Sequence, residues 1–178
     1  LDLSKPITLS QFTLAFWVKM PADAPATGDF LFYTSDKWPN DDPNDFHVET
    51  SNGQVLARLG QDTGNSAITP GRIDDNKWHY VVVTRVPTTN TTTAHVQIYL
   101  DGSASAVATQ FGKATTGVTI PNKIWRIGGL FGRQFSGTID GVQLYSTALN
   151  ATRVKALYDR TFIPACMVAT PTSAGIQW

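Results

Sequence analysis

The sequence predicts an all-β antiparallel sandwich with one short helix near its C-terminal end. Three observations carry this. About ten short runs of β-forming residues follow one another, with turn signals about every eight to twelve residues, which is the spacing of a sandwich and not of alternating strands and helices. Only one stretch, ATRVKALY at 151–158, repeats apolar residues at one-turn spacing. The run WHYVVVTR at 78–85 is apolar on both of its alternating faces, as a strand covered on two sides must be.

In chain order, Phe12, Leu14, Phe16, Val18 and Met20 make one face of a core-facing strand, and DFLFYT at 29–34 resumes the β pattern after a turn-rich break at 21–28. SDKWPNDDPND at 35–45 holds two prolines and six Asp or Asn, so it reads as an exposed loop. FHVET and QVLARL flank Ser51, Asn52 and Gly53 as the arms of a hairpin. A short strand near 67–69, the double-faced strand, a low-complexity turn PTTNTTT and HVQIYLDG follow, with Asp101 and Gly102 turning the chain into a strand at 105–111. Residues 112–122 read as loop and KIWRIGG as strand. FSGTIDGVQLY then leads through a corner to the helix, for which Asn150 is the N-cap and Leu149 a staple residue for Val154.

The chain has 178 residues, 42% hydrophobic, 11% aromatic and 16% charged, enough for one domain with a sizeable core. A formal net charge of zero and no Lys or Arg cluster argue against nucleic acid or an anionic membrane as partner. No apolar run reaches the roughly 18 residues of a membrane-spanning helix, and LDLSKP lacks the regions of a signal peptide, so the chain is expected to be mature or cut from a longer one. Cys166 is the sole cysteine, which excludes an internal disulfide and a Cys-based metal site. It leaves open a buried thiol, a bond to another chain or a partner in a further domain.

KWHYVVVTR, IYLDG, WRIGG, FSGTIDGVQLY and a helix running from ALNATRV to ALY, in this order and spacing, resemble the laminin-G-like jelly-roll family of the concanavalin A-like lectin and glucanase superfamily. The resemblance covers roughly residues 12–160 and implies two curved antiparallel sheets stacked face to face, with binding at rim loops or on the concave face. It further implies an extracellular or cell-surface glycoprotein module flanked by other domains, serving glycan binding, adhesion or scaffolding. On this reading residues 1–163 form the jelly roll, and 164–178 are a closing strand or a linker. The helix is expected to seal one end of the sandwich.

Candidate sites follow. On a period-two strand Asp140 shares a face with Val142 and Leu144, and a carboxylate on a buried face has to be ion-paired, hydrogen-bonded or metal-bound. In similar jelly rolls an aspartate at this place can ligate a structural calcium, for which hard oxygen ligands are suited. The loop at 35–45 offers Asp36, Asn40, Asp41, Asp42, Asn44 and Asp45, a set that suits either solvent or a calcium ion held by Asp42 and Asp45. Trp38 in that loop either stacks on a sugar ring, with Asp36, Asn40 and Asp41 binding its hydroxyls, or folds back as a loop anchor. Trp17, Trp78 and Trp125 lie in strands and are expected in the core; His79 and His95 read as satisfied strand residues and His47 as solitary. Asn90 and Asn150 open glycosylation sequons, with the side chain of Asn150 better used as a cap.

Catalysis is not expected. Catalytic relatives aim two carboxylates from one strand into the concave face, and glycoside hydrolysis needs such a pair. Glu49 is the only glutamate, and the adjacent Asp74 and Asp75 fall in a turn. The sequence thus points to a non-catalytic, carbohydrate-binding module, calcium-assisted in one version; the alternative is a structural or adhesive domain whose partners are extracellular proteins.

Overall fold

Phe12, Leu14, Phe16 and Val18 alternate along their strand with at most 1% exposure, so the face read from the sequence is the face that is buried. The computed structural model describes residues 7–22, 28–34, 45–59, 66–86, 94–111, 120–130 and 132–161. Among these the strands are β1 (Ile7–Leu9), β2 (Phe12–Lys19), β3 (Phe30–Tyr33), β4 (Phe46–Ser51), β5 (Gln54–Leu59), β6 (Ser66–Ile68), β7 (Trp78–Arg85), β8 (Ala94–Leu100), β9 (Ala108–Phe111), β10 (Ile120–Lys123), β11 (Arg126–Ile127), β12 (Gly129–Leu130), β13 (Arg133–Gln134) and β14 (Thr138–Tyr145). One helix, α1 (Ala151–Thr161), follows.

One sheet has the order β14-β2-β7-β8-β9, antiparallel throughout. The other runs β12-β13-β3-β4-β5-β6, with β11 also on β3, and β1 pairs with β10 alone. Between the two sheets Leu14, Phe16, Val81, Val83 and Ile98 meet Leu31, Phe32, Phe46, Val48 and Val55. Phe16 stacks 4.6 Å from Phe32, and Phe12 meets Phe46 and Trp125 edge-on at 4.8 and 5.3 Å.

A second apolar cluster lies on the outer face of the five-stranded sheet, where Ala15, Tyr80, Val82 and Tyr99 are covered by Val154 of α1. This explains the double-faced strand: Val81 and Val83 enter the core while Tyr80 and Val82 lie under the helix. It also corrects the expected place of α1, which covers a sheet face rather than sealing an end. Asn150 caps it, its Oδ1 accepting from Arg153 N at 3.0 Å, and Leu149 and Val154 belong to one cluster as the staple requires. The hydroxyl of Thr13 fixes the preceding corner by donating to Thr147 O and accepting from Leu149 N, each at 2.8 Å.

The hairpin turn at Asn52 and Gly53 has φ of +49° and +75°, the two-residue form that matches strand twist. Three local expectations are revised. The strand expected from 105 starts at Ala108, residues 120–122 belong to β10, and KIWRIGG breaks into short pieces, the break between β11 and β12 falling at Gly128 and Gly129 with φ of +86° and +128°. Trp125 is core, Trp17 is partly buried under α1, and Trp78, expected in the core, is 44% exposed. Trp78 shares a face with Tyr80 but opens β7, where it pairs with Lys19 and has no ring partner among the described residues. Residues 162–178, including Cys166 and the expected boundary at 163, lie outside the described residues.

Candidate functional site

Phe46 and Val48 point into the core, so Asp45, His47 and Glu49 stand together on the outer side of β4, and all three are buried. A period-two reading of DFHVE could have found this row; assigning Asp45 to the preceding exposed loop concealed it. The hairpin register sets His47 opposite Arg58 and, on the other side, opposite Tyr33. Glu49 pairs with Phe30.

The single glutamate of the chain is held from two sides. Arg58 Nε donates to one of its oxygens at 3.0 Å and Arg133 Nη2 to the other at 3.1 Å, while the Arg133 guanidinium lies 4.4 Å over the Phe30 ring. Arg133 Nε also donates to Gly28 O. His47, expected to be solitary, packs 4.5 Å from the Tyr33 ring and 5.8 Å from Phe30. Burial, and then the charges of Arg58 and Arg133, push its pKa down to about 3, so the imidazole is neutral at ordinary pH. Arg133 comes from a distant strand, and no local pattern announces it.

Chemically this row is a neutralised network. Both oxygens of Glu49 are engaged by guanidinium groups. The other carboxylate of the row, Asp45, is four residues away, about 13 Å along an extended strand. Glycosidase pairs stand about 5–9.5 Å apart.

The expected ligand loop springs from the same strand. Trp38, Asp36, Asn40, Asp41 and Asp42 lie outside the described residues, as does Asn90. The two ends of the loop are described: Thr34 and Asp45 are fully buried, and Thr34 N donates to Phe46 O at 3.2 Å while Phe46 N donates to the Thr34 hydroxyl at 2.8 Å. Asp45 is thus an anchor of the loop and not part of an exposed segment.

Asp140 departs from its expected surroundings. A bulge between Asp140 and Gln143, with Gly141 at φ +57°, breaks the period, so Leu144 faces the core while Asp140 is exposed opposite Trp17. Its carboxylate accepts from Gly141 N at 2.7 Å. The argument for calcium from a buried carboxylate therefore falls at this position. Among the described residues no three His, Cys, Asp or Glu side chains gather as a metal site.

His79 is satisfied, as expected, with Nδ1 2.7 Å from Asp101 and Nε2 3.1 Å from Asp75. The side chain of His95 lies outside the described residues. Asp74, expected in a turn beside Asp75, turns its buried carboxylate to Arg72 and lies against Gly53.

Residues 2–155 match the Laminin_G_3 family, described as belonging to the concanavalin A-like lectin/glucanases superfamily. No curated relative matches the sequence. Among solved structures, a heptameric SAP-like pentraxin from Limulus polyphemus is similar at 16% identity and a TM-score of 0.64, over 88% of this chain and 74% of that one. A botulinum neurotoxin type C structure is similar at 17% identity and 0.58, over 84% and 35%. A Trypanosoma rangeli sialidase is similar at 20% and 0.60, over 83% and 22%. Identities this low establish a common fold, and the chain spans about a third of the toxin chain and about a fifth of the sialidase chain. No described helix is long and apolar enough to cross a membrane.

Proposed function

The chain belongs to the Laminin_G_3 family of the concanavalin A-like superfamily, and from that premise we propose that it is a non-catalytic, extracellular carbohydrate-binding module of a larger protein. The observation that carries the reading is the double clamp on Glu49. The one glutamate available to glycosidase chemistry is spent on Arg58 and Arg133, and its neighbour on the strand stands too far away to act with it. Binding without turnover fits such a sandwich.

Sugar contacts are assigned to the loop between Thr34 and Asp45, where Trp38 stacks on a ring and Asp36, Asn40 and Asp41 take its hydroxyls. The buried Thr34–Phe46 hydrogen bonds give that loop a fixed base. The neighbours lend support: botulinum neurotoxin type C depends on two ganglioside molecules for cell entry, and the sialidase was solved with a difluorinated nonulosonic acid. Calcium keeps a place in the proposal only at Asp42 and Asp45. A chelator that lowers the melting temperature of the parent but not of Asp42→Asn would support it there, and an unchanged parent removes it.

The test is a broad glycan array with the parent and Trp38→Ala. Signals lost in the variant support the reading. A blank array moves the chain to the adhesive alternative, and glycoside hydrolysis that disappears in Glu49→Gln would overturn the non-catalytic part.

A further inference from the structure

The outer face of the five-stranded sheet carries an assembly that the loop does not include. The register across β14, β2 and β7 sets Thr138, Lys19 and Trp78 in one row and Asp140, Trp17 and Tyr80 in the next, all on the side that α1 covers. The helix shields only part of this side. Tyr158 lies 5.8 Å from Tyr80 and 5.9 Å from Trp17, and both rings gain burial from it. Beyond it Trp78 is 44% exposed, the most exposed of the large apolar side chains described, and Asp140 and Thr138 are exposed as well.

We propose that these two rows form a binding site for a neutral oligosaccharide, with Trp78 as the stacking platform and Asp140 as the hydroxyl acceptor. The proposal rests on the carbohydrate-binding reading and adds a second, separate place for the sugar.

Three features choose the occupant. An exposed indole offers an apolar face to the C–H side of a pyranose ring, while a nearby carboxylate and ammonium meet its hydroxyl edge; indoles are suited to sites with one apolar and one wet side. Trp78 and Asp140 stand two strands and two residues apart, about 12 Å from strand spacing and rise. One ring cannot touch both, so the ligand is a disaccharide or longer, with Lys19 donating between them. The two rows carry one exposed carboxylate, Asp140, and one half-buried ammonium, Lys19, and the nearby Lys77 is paired with Asp75, a balance that favours a neutral chain over a sialylated one. A protein partner needs about 1,200 Å² or more of total buried surface, and a single exposed indole, with Lys19 and Thr138 along its row and Asp140 in the next, offers no such apolar patch.

Gly141 completes the arrangement. At φ +57° it avoids strain, and a Cβ there would come within 3.3 Å of Trp17 Cδ1, so glycine leaves the sheet beside Asp140 low and open.

The experiment is calorimetric titration of the full chain with cellopentaose and chitopentaose, with 3′-sialyllactose as the anionic control. Binding of a neutral pentasaccharide is expected, weakened about tenfold by Trp78→Ala and by Asp140→Asn. Trp78→Tyr should keep most of the affinity. Both Trp78 and Asp140 are exposed, so their variants should fold, which the thermal transition checks. If Trp38→Ala abolishes binding while Trp78→Ala and Asp140→Asn bind as the parent does, this site falls and the loop reading stands. Binding of 3′-sialyllactose alone also overturns it. If no sugar binds here or on the array, the carbohydrate reading falls and this site with it.

Discussion

Glu49 and Arg58 reach each other diagonally across the β4–β5 hairpin, Nε to carboxylate oxygen at 3.0 Å, with side chains only 9% and 5% exposed. A pair this dry is held by the cost of separating it. Arg58→Met leaves Glu49 with Arg133 alone and is expected to destabilise the fold by about 3 kcal/mol in urea denaturation. Replacing both, Glu49→Leu with Arg58→Met, should recover part of that loss, because the half-satisfied buried carboxylate goes too and only the more exposed Arg133 loses its contact with it. Two single effects that simply add in the double variant would refute the coupling.

Two histidines give stability opposite slopes with pH. Partial burial of His79 works against its charge, but the hydrogen bonds and charges of Asp101 and Asp75 outweigh it and raise its pKa. Its contribution is complete below the unfolded value of about 6.5 and is lost as pH rises through the folded value. His47 is depressed to about 3, so below about 6.5 the unfolded chain takes a proton that the folded one refuses, and stability falls on acidification. Between about pH 5 and about pH 9 stability should therefore peak near about 6.5. His79→Gln should flatten the alkaline side and His47→Gln the acid side. A parent profile without a maximum would remove the account.

The cap of α1 is a smaller term. Asn150→Ala should cost about 1 kcal/mol, and Asn150→Asp or Asn150→Ser much less, since either restores an acceptor for Arg153 N. Because α1 covers Tyr80 and Val82, the loss should also appear as a shift in near-UV circular dichroism from Tyr80 and Tyr158. Equal melting temperatures for Asn150→Ala and Asn150→Asp would show that the side chain does no capping.

What could be read from the sequence was local. Alternation placed Phe12 to Val18 correctly, and the Asn52-Gly53 turn fixed the β4–β5 register from two residues. The same turn, followed outward, sets His47 opposite Arg58, so half of the Glu49 network was within reach. The other half was not, because Arg133 arrives from a strand far along the chain. Asp140 was misplaced for a physical reason: one bulge resets a period of two, and Gly141 gives no sign of whether it will make one. Trp78 was misplaced because alternation tells which face a residue takes but not where the helix covering that face ends.

The order of the five-stranded sheet has a consequence for how the chain is made. β2 lies between β7 and β14, so the edge that will receive β14 stays open until residues 138–145 have been synthesised. At about 5–20 residues per second this leaves an apolar, unpaired strand edge exposed for several seconds on the ribosome. The β2–β14 pairing joins strands about 120 residues apart in the chain, so the last of the described strands closes the sheet that β2 began. A nascent chain halted before residue 138 should be protease-sensitive across β2 and become resistant once β14 is added; resistance before then would mean the sheet closes without it.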